Sequence, residues 1–200
     1  MAAYVTADEI KAAMPGVISG ATYDTILGTL ATRASELIDR LTGRDVGAYD
    51  AADVATARYF DGSGEDYQWI DECVEITTLE VKDSETDTTY DTWVETDYII
   101  WPYHELPIRK LIVDPTGDEV YFPSGLRTVK VTAKWGYSAD PPAVVKQAVV
   151  IQAARWFKRG QQAFQDVSAA AEVGQLTYAQ KLDPDIETMI WAAGLRRLAI

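Results

Sequence analysis

Apolar positions keep a helical period at both ends of the chain and a period of two in between. Thr6 with Glu9 three residues on makes a capping box for a short helix over 6–14, which Pro15 and Gly16 end. Over 22–42, Tyr23, Ile26, Leu27, Leu30, Ala34, Leu37, Ile38 and Leu41 recur at three and four residues, and Gly43 supplies a left-handed stop. That predicts a longer helix with one buried stripe. From 57 to 136, β-branched and aromatic residues alternate between turn clusters, which reads as a mostly antiparallel sheet. Its clearest strand is 126–136, with Val129, Val131, Ala133 and Trp135 facing one way and Thr128, Lys130, Thr132 and Lys134 the other. Another is expected over 90–101, with Tyr90, Val94, Tyr98 and Ile100 opposite an acidic, aromatic face that includes Trp93 and Trp101.

Pro141 and Pro142 open a third helix, 143–159, apolar around so much of its circumference that it must pack on more than one side. Residues 161–182 are less regular, with a small-residue run at 168–171 and a strand near 175–178. Asp183 as N-cap and Pro184 at the first helical position open a last helix running toward Leu198. The pattern predicts an α+β fold: helices from both ends of the chain bracketing a central, mostly antiparallel β-sheet, with a C-terminal arm and helix over 161–200.

Charge adds a second division. Thirteen acids between residues 61 and 100 stand against the single base Lys82, which accounts for nearly all of the formal charge of −13. Such a stretch repels nucleic acid and can dock on a basic surface. No run approaches the ~20 apolar residues that a bilayer span needs, and the N-terminus has no basic region followed by an apolar one. The expectation is a soluble protein made in the cytoplasm, with no membrane association.

Candidate chemistry is sparse. Cys73 is the only cysteine, in a strand-like run, and reads as a buried inert thiol. His104 is the only histidine, so a histidine-rich metal site is excluded, and no Gly-x-Ser-x-Gly elbow supports a nucleophile. Asp83, Glu85 and Asp87 alternate like the start of a calcium loop, but Thr88 stands where that loop needs glycine and Val94 where it needs glutamate. A charged turn explains them. The expectation is no catalytic residue, no metal and no cofactor. Trp69, Trp93, Trp101 and Tyr103 among acids fit either core and interface packing or a sugar-binding platform, which would need Trp93 and Trp101 exposed in a flat row.

Several short motifs occur in a telling order. The helix end over 34–44 (ASELIDRLTGR) precedes residues 57–64 (ARYFDGSG), the strand end over 131–137 (VTAKWGY), the Pro141-Pro142 start, residues 182–186 (LDPDI) and Arg196-Arg197. This order resembles the head-tail connector, or adaptor, proteins of tailed bacteriophages, including the gp6-like and gp15-like adaptors. The resemblance implies a connector domain over 1–160 with an inserted β section, and a location in the virion neck. It also implies a ring of twelve copies beneath the portal protein and above a stopper or tail-completion protein, with DNA passing through the channel without specific binding. Other neck or tail-completion proteins, a carbohydrate-binding β module, or a hydrolase with only the abundance of acids behind it, are the alternatives.

One element stands out as a contact surface. The last helix carries two apolar stripes, one of Ile186, Met189, Ile190 and Ala193 and another of Trp191, Leu195 and Leu198, beside Arg196 and Arg197. One stripe docks a helix on its own domain, so the second is expected to meet the portal or a neighbouring subunit, with 161–182 as the arm that carries it.

Overall fold

A computed structural model describes residues 3–14, 20–51, 53–161, 167–169, 176–178 and 182–196. In chain order the elements are α1 (Ala7–Ala12), α2 (Asp24–Leu41), β1 (Thr56–Gly62), β2 (Tyr67–Val81), β3 (Asp91–Trp93), β4 (Tyr98–Trp101), β5 (Ile108–Val113), β6 (Gly125–Trp135), α3 (Ala143–Gln161), β7 (Val167–Ala169), β8 (Leu176–Tyr178) and α4 (Pro184–Ala192). The fold is α+β, and the chain divides into two compact units: helices from both termini (Met1–Gly47 and Pro141–Ile200) and the sheet between them in sequence (Ala48–Asp140).

In the helical unit, the expected capping box opens α1, with the Thr6 hydroxyl accepting from Glu9 N and the Glu9 carboxylate accepting from Thr6 N. The stripe of α2 differs from the one its apolar spacing predicts. Leu27, Ala31, Ala34 and Ile38 are buried together with Ser35 and Asp39, whereas Ile26 is 52% exposed and Tyr23 lies at the surface. Two polar residues can take the inner face because Tyr4 answers both: its N–H donates to Ser35 Oγ (3.1 Å) and its hydroxyl to Asp39 Oδ1 (2.6 Å). Gly43, at φ 72°, closes α2 with Arg44 N donating to the Asp39 carbonyl and Gly43 N to that of Arg40, the six-to-one and five-to-two pair that ends helices on glycine. Helix α3 touches α1, α2 and α4, which agrees with its wide apolar surface.

The sheet unit is antiparallel throughout, in the order β1-β6-β2-β5-β4, with β3 on the far end of β2. Fifteen residues long, β2 serves as a spine: its first half pairs with β5 and its second with β6 and β3, through register shifts near Cys73 and Ile76. Val129, Val131, Ala133 and Trp135 point into the core as their alternation predicts. Thr128 is also buried, against that alternation, because its hydroxyl donates to the Pro123 carbonyl (2.9 Å).

The strand expected over 90–101 is broken into β3 and β4. Between them the Asp97 carboxylate accepts from Val94 N (2.8 Å) and Asp97 N donates to Val94 O, a local turn in place of the ladder. The break reverses the predicted faces: Trp93 packs inward on Phe122, with ring centroids 4.8 Å apart, and Val94 is exposed.

Candidate functional site

The expected contact residues at the C-terminus do not form two helical stripes. Helix α4 ends at Ala192, and Gly194 at φ 63° turns the chain back: Leu195 N donates to Ile190 O (3.2 Å) and Gly194 N to Trp191 O (3.0 Å). This is the same stop that ends α2. Leu195 and Arg196 therefore follow the helix, and Leu195 is buried where a second exposed stripe required it outside. Ile186 and Ile190 are buried as well, and Met189 is half-buried. Arg197 and Leu198 lie outside the described residues. The helix is docked in its own chain: α4 packs on α3, Arg155 pairs with Asp183 at 2.8 Å, and the Arg44 guanidinium donates to the Leu195 carbonyl. Arg44 thereby ties the turn after α2 to the turn after α4.

What remains outside on α4 is a single face. Trp191 is 76% exposed, with Glu187 one turn before it and Thr188 beside them, all open to solvent. Trp191, Glu187, Arg196 and Leu41 rim a shallow depression of about 330 Å³ at the C-terminal end of α2. A larger groove of about 580 Å³ opens at the other end of α2, floored by Tyr23, Ile26, Leu30, Trp156 and Phe157 and flanked by Arg33 and Arg159. Its wall is built by the edge-on contact of Tyr23 with Phe157, centroids 5.2 Å apart. This groove was hidden in the sequence, because Tyr23, Ile26 and Leu30 keep the same spacing as the residues that form the core.

No family model matches the chain, and no curated protein matches it. Among solved structures, a chain in the neck of an empty gene transfer agent (GTA) particle computed with C6 symmetry aligns with 98% of this chain and 91% of its own length, at TM-score 0.58 and 17% identity. The two share a fold. A chain in the virion of the native gene transfer agent particle aligns over the same shares, at TM-score 0.54 and 18% identity. The likeness runs across both units, helices and sheet alike.

The sheet unit carries the charge. Between residues 48 and 140 there are twenty acids and seven bases, whereas the helical unit has eleven of each, so the whole net charge of −13 sits on the sheet unit. Bases from outside the acidic run neutralise part of it on the sheet surface: Arg58 meets Asp71, Arg109 Glu72, Lys130 Glu80 and Lys134 Glu75. Much of the remainder gathers at the loops. There, burial and the charges of Asp97, Asp83, Asp118 and Asp91 push the Glu119 carboxyl above the usual range.

Trp69, Trp93 and Trp101 do not form a platform. Trp93 is in the core, and Trp69 and Trp101 meet edge-on at 85°, with Lys110 Nζ 5.2 and 4.9 Å from their ring centres. A flat row on which a sugar stacks is absent from this set, which removes the geometry that a carbohydrate-binding reading of Trp93 and Trp101 requires. Cys73 is fully buried in the sheet core, and desolvation pushes its thiol up to about 12, far from the range of a nucleophile. His104 is exposed in the loop after β4, and the alternate acids of 83–87 form a turn in which Asp87 N donates to Ser84 O.

Proposed function

We propose that this protein is a structural subunit of the neck of a tailed-phage-like particle, without catalysis of its own. In this reading it is a head-to-tail adaptor, one of twelve copies in a ring between the portal protein and a stopper or tail-completion protein. The observation that carries the reading is the whole-length likeness in fold to a chain of a particle neck, spanning the terminal helices and the inserted sheet together. The order of helix ends, strand ends and proline starts along the sequence supports it independently.

The ring is expected to close on a template. A heterologous contact repeats around a ring only at the correct angle, so the protein alone should be monomeric or weakly associating. Electron microscopy of the purified protein mixed with the portal of its own particle is expected to show closed rings on one end of the portal. A protein that stays single beside the portal, or one that binds glycans through Trp69 and Trp101, would overturn the adaptor reading.

DNA passage calls for weak contact. With net −13 on the sheet unit, the isolated protein should leave duplex DNA unretarded in a gel-shift assay at physiological salt. Retention of DNA at that salt would point instead to an active DNA-handling role.

A further inference from the structure

We propose that each copy inserts the Trp191 face of its α4 into the groove between α2 and α3 of the next copy, so that one chain supplies both halves of a repeating ring contact. The proposal rests on the ring reading above and names the surfaces that make the ring.

A ring needs two different, complementary surfaces on each subunit. The helical unit has such a pair. Trp191 is the most exposed tryptophan of the described residues at 76%, and large aromatics in that position are the usual anchors of protein contacts. The groove offers an apolar floor, including Ile26 at 52% exposure, and a volume of about 580 Å³ that admits an indole with its flanking side chains.

Charge matches the two surfaces. Arg33 stands exposed at the groove and Glu187 exposed one turn before Trp191, and neither has an ion-pair partner among the described residues. Arg159 adds a second cation to the groove. Arg196 lines the same depression as Trp191 and Glu187, and is the one cation there among the described residues.

Geometry rules out the chain's own Trp191 as the occupant, and the charge match points to that of a second copy. Trp191 shares its depression with Leu41, whereas the groove is centred near Ile26, fifteen residues earlier on the same helix. At ~1.5 Å per residue the two are about 22 Å apart, beyond the reach of any side chain. A chain cannot fill its own groove with its own Trp191. Because the two surfaces differ, filling a neighbour's groove leaves one groove and one Trp191 free at the ends of any open chain, and only closure satisfies all of them.

Two variants test this on the portal-templated ring. In the double variant Ile26→Cys with Thr188→Cys, oxidation should link each copy to the next, giving a ladder of disulfide-joined oligomers. Each single variant should stay a monomer on a non-reducing gel, since Cys73 is buried. Trp191→Ala should leave the melting temperature unchanged and raise the protein concentration needed for half-complete rings by ~30-fold, as loss of an aromatic anchor does.

Rings that form normally while the double variant yields only monomers would overturn the contact and leave the adaptor reading standing, as happens if the chain's own residues 162–181 or the portal occupy the groove. Dimers without a ladder would mean a reciprocal two-fold contact and would overturn it too. Wild-type protein that forms no ring on the portal would remove both proposals.

Discussion

A chain ended after Leu182 is expected to lose the cooperative unfolding transition of its helical unit. Sequence alone suggests instead that the last helix is carried outward on the 161–182 arm to meet a partner. The structure places Ile186, Ile190 and Leu195 in the interior, and each such side chain contributes about 1.5–3 kcal/mol through burial. Their joint loss, roughly 5–9 kcal/mol, is comparable to the whole stability of an ordinary domain at about 5–15 kcal/mol. Truncation also leaves Arg44 without the Leu195 carbonyl and Arg155 without Asp183. Hydrogen exchange on α2 and α3 of the truncated chain is the direct measurement, with protection expected to fall by orders of magnitude. Native protection in the truncated protein would mean that α4 is an appendage after all.

The second large effect is expected at Asp39. Its carboxylate is fully buried, accepting from the Tyr4 hydroxyl at 2.6 Å and from Gly47 N at 2.9 Å, with the charge of Arg44 close by. Asp39→Ala strands those donors and leaves a buried guanidinium with less compensation, a change that typically costs about 3–5 kcal/mol. Chemical denaturation of the full chain should show it as an earlier transition of the helical unit, and Tyr4→Phe, which removes one donor, should cost about 1–3 kcal/mol. An Asp39→Ala protein as stable as the wild type would show that the network contributes little.

The same residue gives a pH signature. Burial raises the Asp39 carboxyl above its ordinary value, outweighing the Tyr4 and Gly47 hydrogen bonds and the Arg44 charge that lower it. The folded chain therefore holds this proton more tightly than the unfolded chain. Its contribution to stability is full below the unfolded value and is lost as pH rises through the folded one. Asp39→Asn should lack that loss on the same titration.

Residue by residue, legibility follows how local the deciding physics is. The capping box of Thr6 and Glu9, the glycine stop at Gly43 and the Asp183-Pro184 start all hold, because each is settled by hydrogen bonds and dihedrals within one turn of chain. From Val129 on, the alternation of β6 holds because one face of that strand is buried and the period of two leaves no other register. By contrast, 90–101 reads as one strand only until Asp97 is seen capping Val94, since a side chain competing for a backbone donor leaves the hydropathy pattern untouched.

Composition and periodicity thus determined the α+β order, the capped helix starts at Thr6 and Asp183, the glycine stop at Gly43 and the acidic stretch. Which apolar residues are interior was decided only by tertiary structure. Ile26 and Leu27 are adjacent and equally apolar, yet one is exposed and the other fully buried. Hydrophobic burial is non-directional, so a helix with more apolar residues than one neighbour can cover takes its orientation from other constraints. In α2 those are the hydrogen bonds of Tyr4 to Ser35 and Asp39. In α4 the turn at Gly194 decides, sending Leu195 inward and leaving Trp191 outside, because a left-handed residue redirects the chain in a way that no count of helical spacing contains.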